Sequence, residues 1–559
     1  MNVVKVMVLG LDGATFRIIR PLVAAGKLPN LGRLMQEGAW GILQSIIPPH
    51  TAAAWPTLMT GKHPGNHGLF GFDQPSLGGY GGAARLVTSQ AIAGQTIFDY
   101  ASRAGLRVAA IRVPMTYPAW PINGVMISGY PSPEGGSSYT YPRELCRTIP
   151  AMRDPAAARD PDERKQILLE EIARTGEIGL QILRNDRYDL FMLVFQQTDI
   201  AHHWYWRYID KASPVYTEEE AARYGDVIEL CYRAIDAQIG ELLQFTDSDT
   251  SVLIVSDHGG RVSASNYFHI NTWLRQEGLL ALRRKPSLQS RAYDLRSRLL
   301  PKHIRTQLKR VIAATMPDKI SARAEDFYFN LEDVNWAQTR AFRFNVSAEV
   351  QGIMLNVAGR QPSGIVKPGA EFERLRDDII ARLRRLRVPG TDQPLVEYIY
   401  TREELYGPQV GTRVSDIIFG LHPDYRGGDG VSGPIFAPLR HEELLGALAG
   451  WHDAEGILLA AGPRFVRGGV TITDASLLSM GPTVLHCLDM PIPDVMDGTI
   501  LEPLFDPALV GATTRSPQRG GDGTALRASE SPFTGADHFE LSQEEAESIK
   551  GRLRSLGYL

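Results

Sequence analysis

The 559-residue sequence has few cysteines, little charge imbalance and no long uninterrupted hydrophobic run. Its three cysteines, Cys146, Cys231 and Cys487, are far apart and form no C-x-x-C pair. This argues against a disulfide framework or a thiolate zinc site and predicts a cytoplasmic location. The net charge of -4 provides no global attraction to polyanions, so we expect no specific nucleic-acid partner. No run reaches the roughly 18 apolar residues of a spanning helix, so we expect no membrane span.

Apolar, β-rich runs recur along the chain, with helical patterns between several of them. Because the apolarity within each run is continuous rather than alternating, both faces of these strands should be covered. The pattern predicts an α/β sandwich with a mostly parallel sheet flanked by helices, in which sites collect beyond the carboxyl ends of strands. The predicted strands are Val3–Leu11, Val108–Val113, Leu190–Phe195, Val252–Ser256 and Ile457–Ala461.

Changes in composition predict four parts of the chain. Residues 1–270 and 441–506 form a catalytic core, and residues 271–440 form an inserted α+β cap or substrate region. Residues 507–538 are rich in Gly, Ser, Thr, Arg and Pro, which predicts a flexible linker. The pattern of residues 539–559 predicts a C-terminal amphipathic helix, which would dock on its own domain or in a partner's groove. The sequence does not specify an oligomeric state.

Two local features belong to the cap and the tail. The stretch from Arg283 to Arg310 has ten Lys and Arg against the single Asp294, which predicts a solvated helical face or a polyanion-binding surface. In the tail, Ser542 and Glu545 have the spacing of a capping box.

Asp and His residues follow several of the strand-like runs. Asp12 ends the first run in LGLDG, and Asp257 and His258 end another in VLIVSDHGG. The two glycines that follow would let the backbone or a ligand approach closely. Asp199 and His203 are four residues apart, so they share one face if their segment is helical. One carboxylate and one imidazole at that spacing can bind the same metal ion.

Thr51 and His452 are weaker signals when each is taken alone. Thr51 begins the segment TAAAWPTLMTG, and a hydroxyl at a helix N-terminus is suited to an anion. The simpler interpretation is that Thr51 only caps the helix. His452 precedes a buried strand, where a lone histidine is usually structural or solvated.

Together, these motifs resemble the alkaline phosphatase superfamily. The motifs are LGLDG, the Thr51 block with T-G-x-x-P-x-x-H-G, D-x-x-x-H, S-D-H-G and a late G-x-H, and the terminal SLGYL also recurs in relatives. Within the superfamily the chain is most similar to the type I phosphodiesterase/nucleotide pyrophosphatase branch. The resemblance implies an alkaline-phosphatase-like fold and a metal-dependent phosphohydrolase.

The resemblance also implies two divalent ions, zinc or alternatively manganese. Thr51 would be the catalytic nucleophile and form a phosphothreonine intermediate that water hydrolyses. Three protein ligands at an ion leave room for a substrate oxygen. The first ion would be held by Asp12, Asp257, His258 and the Thr51 oxygen, and the second by Asp199, His203 and His452.

The chain departs from the family after its H-G motif. Nucleotide pyrophosphatases usually have an asparagine there, whereas this chain has HGLFGFD with Phe70, Phe72 and Asp73. Contact with the phosphate oxygen would then come from the backbone N–H of Thr51 or Ala52. The preference between monoesters and diesters therefore stays open.

The sequence predicts a phosphate ester substrate but not its leaving group. Ala52, Arg261 and His269 are candidate substrate contacts. The main hypothesis is a phosphodiesterase or nucleotide pyrophosphatase-like hydrolase. The alternatives are a phosphomonoesterase, a phosphotransferase or phosphomutase of the same superfamily, and a metal-stabilised, non-catalytic polyanion-binding protein.

Overall fold

The chain forms two compact units. The first comprises Met1–Gln74, Leu86–Ser263 and Arg440–Leu559, and the second comprises Pro75–Arg85 and Ala264–Leu439. The predicted linker 507–538 and all of the basic stretch except Arg283 lie outside the described residues. The computed structural model describes residues 2–74, 80, 85–133, 135–158, 160–283, 333–344, 347, 350–411, 414–428, 430–439, 441–445, 449–506 and 539–558.

A ten-stranded, mostly parallel sheet forms the centre of the first unit. Every residue of its four central parallel strands is buried, as continuous apolarity requires. The predicted α/β architecture is confirmed. From one edge to the other, the strands are Val470–Thr471, Ala39–Gln44, Glu455–Ala461, Ser251–Val255, Val6–Leu11, Leu190–Phe195, Val108–Val113, Gly124–Ser128 and Thr140–Tyr141, and Ala475–Ser476 also pairs with Ala39–Gln44.

Helices follow most strands of this unit and supply the apolar side chains that cover the sheet. Among the described residues, no helix has both the length and the apolarity that crossing a bilayer requires. The helices are Phe16–Ala24, Pro29–Glu37, Thr51–Thr60, Pro64–His67, Ile97–Arg103, Pro161–Asn185, Gln197–Tyr205, Glu218–Tyr224, Val227–Leu242, His441–Leu444, Met480–Cys487 and Gln543–Ser555.

The carboxyl ends of three adjacent parallel strands bring three aspartates together. The strand Val6–Leu11 lies between Leu190–Phe195 and Ser251–Val255, and both pairings are parallel. In register, Leu11 lies opposite Phe195, and Gly10 lies opposite Val255. Asp12, Asp199 and Asp257 therefore follow neighbouring strand ends. The topology positions them together although they are far apart in sequence.

The second unit contains two smaller sheets with a core of their own. It begins at Ala264, earlier than the predicted boundary at 271, because Asn266–His269 pairs with strands of the same unit. One sheet consists of Tyr425–Gly428, Asn266–His269 and Phe436–Pro438, and the other of Ala341–Arg343, Gln351–Leu355, Ile417–Leu421 and Val396–Thr401. Among the described residues of this unit, the helices are Ile270–Gln276, Ala370–Arg385 and Arg402–Tyr406.

The C-terminal helix Gln543–Ser555 packs on the first unit. It begins with the predicted capping box, in which Ser542 and Glu545 satisfy each other's backbone N–H groups. Ile549 and Leu553 are buried in the core of the first unit. The Arg552 guanidinium donates to the carbonyl oxygens of Ser132 and Met152. Apolar packing and hydrogen bonds thus both hold the C-terminal helix on the first unit.

Gly10 has no room for a side chain. A Cβ atom there would lie 2.5 Å from the Trp55 ring and 2.8 Å from Val194. We predict that Gly10→Ala lowers the free energy of unfolding by about 1–3 kcal/mol through overpacking, as measured by urea denaturation. Gly551→Ala, inside the C-terminal helix with nothing within 4 Å of its added Cβ, is the matched control and should not destabilise. Equal stability of wild type and Gly10→Ala would contradict this packing.

Candidate metal centre

Four side chains from three separate segments of the chain form the first cluster. The Thr51 hydroxyl donates to Asp12 Oδ1 at 3.4 Å and lies 3.2 Å from His258 Nε2. His258 Nε2 lies 3.5 Å from Asp12 Oδ1 and 3.4 Å from Asp257 Oδ2. Asp12, Asp257 and His258 are fully buried, and their ligand atoms lie within 4.8 Å of one another. These are the residue types and spacings that hold zinc.

Thr51 is the first residue of its helix rather than its cap. His50 has the extended backbone of an N-cap, and its Nδ1 accepts a hydrogen bond from the Ala52 N–H at 3.1 Å. The simpler sequence interpretation, that Thr51 only caps the helix, is therefore wrong. The Thr51 hydroxyl instead points into the buried cluster at the positive end of the helix dipole.

Asp199, His203 and His452 form a second cluster. Asp199 and His203 occupy one face of the helix Gln197–Tyr205, where Asp199 Oδ2 and His203 Nε2 are 3.4 Å apart. His452 Nε2 lies 3.1 Å from His203 Nε2 and 3.5 Å from Asp199 Oδ1. His202, adjacent in sequence, points elsewhere and lies 3.2 Å from the Tyr232 hydroxyl. The helical spacing thus selects His203.

Backbone carbonyls orient two of the imidazoles. Nδ1 of His258 donates to the Gly259 carbonyl at 2.9 Å, and Nδ1 of His452 donates to the Pro49 carbonyl at 3.1 Å. A carbonyl can only accept, so in each neutral ring Nε2 retains its lone pair and faces the cluster. Hydrogen bonding of the remote ring nitrogen is typical of histidines that bind metals.

Burial and mutual repulsion perturb the carboxylates. Burial, with added repulsion from Asp257 and Asp199, raises the pKa of Asp12 well above its usual value. Burial and the charge of Asp199 raise the pKa of Asp257 to about 7. Burial also lowers the pKa of His258 to about 4. For Asp199, burial opposes ionisation, but His203 and His452 outweigh it and hold the pKa low.

The residues fit divalent ions. Asp257 Oδ2 is buried and has no hydrogen-bond partner among the described residues. A cation would supply the missing partner and remove the repulsion between the carboxylates. The donor set of carboxylate oxygens and imidazole nitrogens suits zinc or manganese.

The two glycines after His258 allow the close approach of neighbouring chain that the sequence predicts. Gly260 pairs with His452 across two short antiparallel strands, Gly259–Val262 and Gly450–Asp453. A Cβ atom on Gly260 would lie 2.3 Å from His202 Nδ1. This pairing brings His452 to the cluster, which the sequence could not predict from His452 alone.

The three predicted substrate contacts lie in different places. Ala52 is in the first turn of the Thr51 helix, but its N–H is engaged by His50. Arg261 Nε donates to the His452 carbonyl at 3.2 Å, so Arg261 supports the ligand strand. His269 belongs to the second unit, where Nδ1 accepts from the Gly430 N–H at 3.2 Å.

Two aromatic residues at the clusters had no predicted role. The Tyr558 hydroxyl, in the terminal SLGYL, lies 3.1 Å from both Asp199 Oδ2 and His452 Nε2. Phe72, from the HGLFGFD segment, is buried, and its ring centroid lies 5.0 Å from that of Tyr558. The recurrence of SLGYL was the only sequence signal for this contact.

The sequence was compared with known families and proteins. A sequence model described as type I phosphodiesterase / nucleotide pyrophosphatase matches residues 6–425, about three quarters of the chain. The chain belongs to this family. It is therefore a phosphoester hydrolase of a metal-dependent family. Among the candidate ligands, His452 lies beyond the matched residues. No match is found among curated protein sequences.

Solved structures share the architecture at low sequence identity. Phosphonoacetate hydrolase from Sinorhizobium meliloti, in complex with phosphonoformate, is 14% identical with a TM-score of 0.51, covering 87% of this chain and 95% of that one. Human ectonucleotide pyrophosphatase/phosphodiesterase 5 is 14% identical with a TM-score of 0.46, covering 90% and 100%. The first of these likenesses supports an alkaline-phosphatase-like fold.

The raised pKa of Asp257 predicts a pH-dependent stability of the metal-free protein. A carboxyl group with a raised folded pKa stabilises the fold at pH below its usual pKa of 3.8, and this contribution is lost as the pH rises through about 7. Relative to Asp257→Asn, the wild type should therefore lose stability between about pH 4 and 7, measured by urea denaturation after chelation. Bound zinc should remove the higher stability that Asp257→Asn has over the wild type at high pH.

The control is Asp249→Asn, which alters an exposed aspartate. Its stability difference from wild type should change little over the same pH range. A pH-independent difference between wild type and Asp257→Asn would contradict the buried repulsion described above.

Proposed function

We propose that this chain hydrolyses phosphodiester or nucleotide pyrophosphate bonds with two divalent ions and Thr51 as nucleophile. The observation that carries the proposal is the position of Thr51 Oγ1, which lies 3.2 Å from His258 Nε2 within the first ligand set. A second set, Asp199, His203 and His452, lies close by, and the His258 and His452 rings stack with centroids 4.0 Å apart.

The residues of the two clusters would have the following roles. Asp12, Asp257, His258 and Thr51 would hold the first ion, and the other set would hold the second. Bound ions would neutralise the carboxylates and stabilise the attacking and leaving oxygens of an in-line displacement. Thr51 Oγ1 would lose its proton to solvent, attack phosphorus and displace the alcohol or phosphate leaving group. Water would then hydrolyse the phosphothreonine, which releases the phosphate product and returns a proton to Thr51. The N-terminus of the Thr51 helix favours the anionic substrate.

Trp55 fixes the carboxylate nearest to the nucleophile. Its indole Nε1 donates to Asp12 Oδ2 at 3.0 Å, so Oδ1 faces the Thr51 hydroxyl. Because Trp55 lies on the same helix as Thr51, the nucleophile and this carboxylate keep a constant relative position. Such preorganisation reduces the rearrangement needed to reach the transition state.

Monoester cleavage is kept as a second candidate because of the residues after His67. In the segment after His67-Gly68, where the family resemblance leads us to expect an asparagine, Phe72 is buried against the His50 ring at a centroid distance of 4.9 Å. An aromatic edge cannot donate the strong hydrogen bond by which an amide holds a phosphate oxygen. A screen of monoesters, diesters and nucleotide pyrophosphates with zinc or manganese separates these substrates, and added acceptor alcohol reveals phosphotransfer.

The remaining proposals concern location and polyanion binding. We propose a reducing cytoplasm, which the three free cysteines support. The non-catalytic, polyanion-binding alternative has less support, because a nucleophile within a complete ligand set exceeds what a structural ion needs.

Thr51→Ala and Asp257→Asn test the mechanism directly. Each should lower kcat on p-nitrophenyl phosphate esters by at least about 10³-fold, because Thr51→Ala removes the proposed nucleophile and Asp257→Asn removes a charged ligand of the first ion. Acid quenching of wild type followed by peptide mass spectrometry should find phosphate on Thr51.

Thr60→Ala, at the other end of the same helix, is the matched control. Its hydroxyl donates to the Pro56 carbonyl, so the change should leave kcat within about twofold of wild type. Retained turnover in both Thr51→Ala and Asp257→Asn would exclude the mechanism.

A further inference from the structure

The phenol of Tyr558 is inserted into the second cluster. Its Oη lies 3.1 Å from Asp199 Oδ2, 3.2 Å from His203 Nε2 and 3.1 Å from His452 Nε2. The C-terminal segment thus contributes an oxygen to residues more than 100 positions away in sequence. All four residues belong to the first compact unit.

These four groups lie within about 0.2 Å of the ligand separations of a tetrahedral zinc site, and the distances to the phenol are slightly shorter than those separations. The three distances between the Asp199, His203 and His452 groups are 3.1, 3.4 and 3.5 Å, and those to Tyr558 Oη are 3.1–3.2 Å. Ligands roughly 2.0–2.2 Å from a tetrahedral zinc ion lie roughly 3.3–3.6 Å from one another. The phenol oxygen therefore stands where a fourth ligand belongs.

Two of the groups that face the phenol are hydrogen-bond acceptors. Asp199 Oδ2 is an acceptor, and His452 Nε2 is also an acceptor because Nδ1 of that ring donates to Pro49. The phenol has one proton and can donate to only one of them. A cation at the centre of the cluster would accept lone pairs from Asp199, His452 and the phenol oxygen together.

The tail and an aromatic cluster hold the phenol in place. Leu553 and Leu556 are buried in the core just before Tyr558. The Tyr558 ring also lies edge-to-face with Phe72 and with His50, at centroid distances of 5.0 and 5.1 Å. Phe72 thus has a structural use at the point where the chain departs from its relatives.

We propose that Tyr558 Oη is the fourth ligand of the ion held by Asp199, His203 and His452. The inference rests on the proposed two-ion function. On ion binding the phenol proton passes to solvent, and the phenolate completes the coordination. Docking of the C-terminal helix and loading of the second ion are then coupled, and a substrate oxygen reaches this ion by displacing the phenolate.

The test is a zinc titration of full-length, metal-free protein. Two readouts are followed, the affinity of each equivalent by competition with a chelator and the near-ultraviolet difference absorbance of tyrosinate. In wild type, tyrosinate absorbance should appear with the ion at the second site. Tyr558→Phe keeps the ring but removes the oxygen, so it should abolish that signal and weaken the second ion by roughly 10- to 100-fold.

Tyr117→Phe is the matched control because the Tyr117 hydroxyl donates to Glu545 in the tail helix at 2.6 Å. It should leave both zinc affinities and the tyrosinate signal unchanged. Asp199→Asn removes a ligand of the second ion and shows how loss of that ion changes both readouts. Unchanged second-site affinity in Tyr558→Phe, or no tyrosinate signal in wild type, would overturn the phenolate ligand alone. Failure of wild type to bind a second ion would overturn both this inference and the two-ion function.

Discussion

The burial of three carboxylates at neighbouring strand ends is the constraint on which the site depends. Asp12, Asp199 and Asp257 follow three adjacent parallel strands and are almost completely removed from water. Their repulsion and desolvation raise the pKa of two of them, so the arrangement is unfavourable without compensating positive charge. In the proposed function, divalent ions would provide that charge, which would link the stability of the site to its chemistry.

The surrounding residues make the unfavourable cluster rigid. Carbonyls of Gly259 and Pro49 fix two imidazoles, and the Trp55 indole fixes Asp12. Pro49 also lies in the loop that leads into the Thr51 helix, so one loop positions both His452 and the proposed nucleophile. A rigid second layer of this kind keeps ligands and nucleophile in place without the ions having to draw them together.

The sequence predicted five strands of the main sheet from continuous apolar runs, a shared face for Asp199 and His203 if their segment is helical, and the family from its motifs. It did not predict the neighbours that orient the site. Pro49 and His452 are joined across the fold, and Tyr558 reaches Asp199 across 359 positions, so no periodicity connects them. Ala264 belongs to the second unit because Asn266–His269 pairs with distant strands of that unit, which no local pattern shows.

The most direct measurement of the central claim is a crystal structure of the protein grown with zinc and orthovanadate, with anomalous data collected at the zinc edge. The account predicts two zinc peaks roughly 4 Å apart. One should lie among Asp12, Asp257 and His258 and the other among Asp199, His203 and His452, with vanadium within bonding distance of Thr51 Oγ1. A single zinc ion, or vanadate bound away from Thr51, would contradict it.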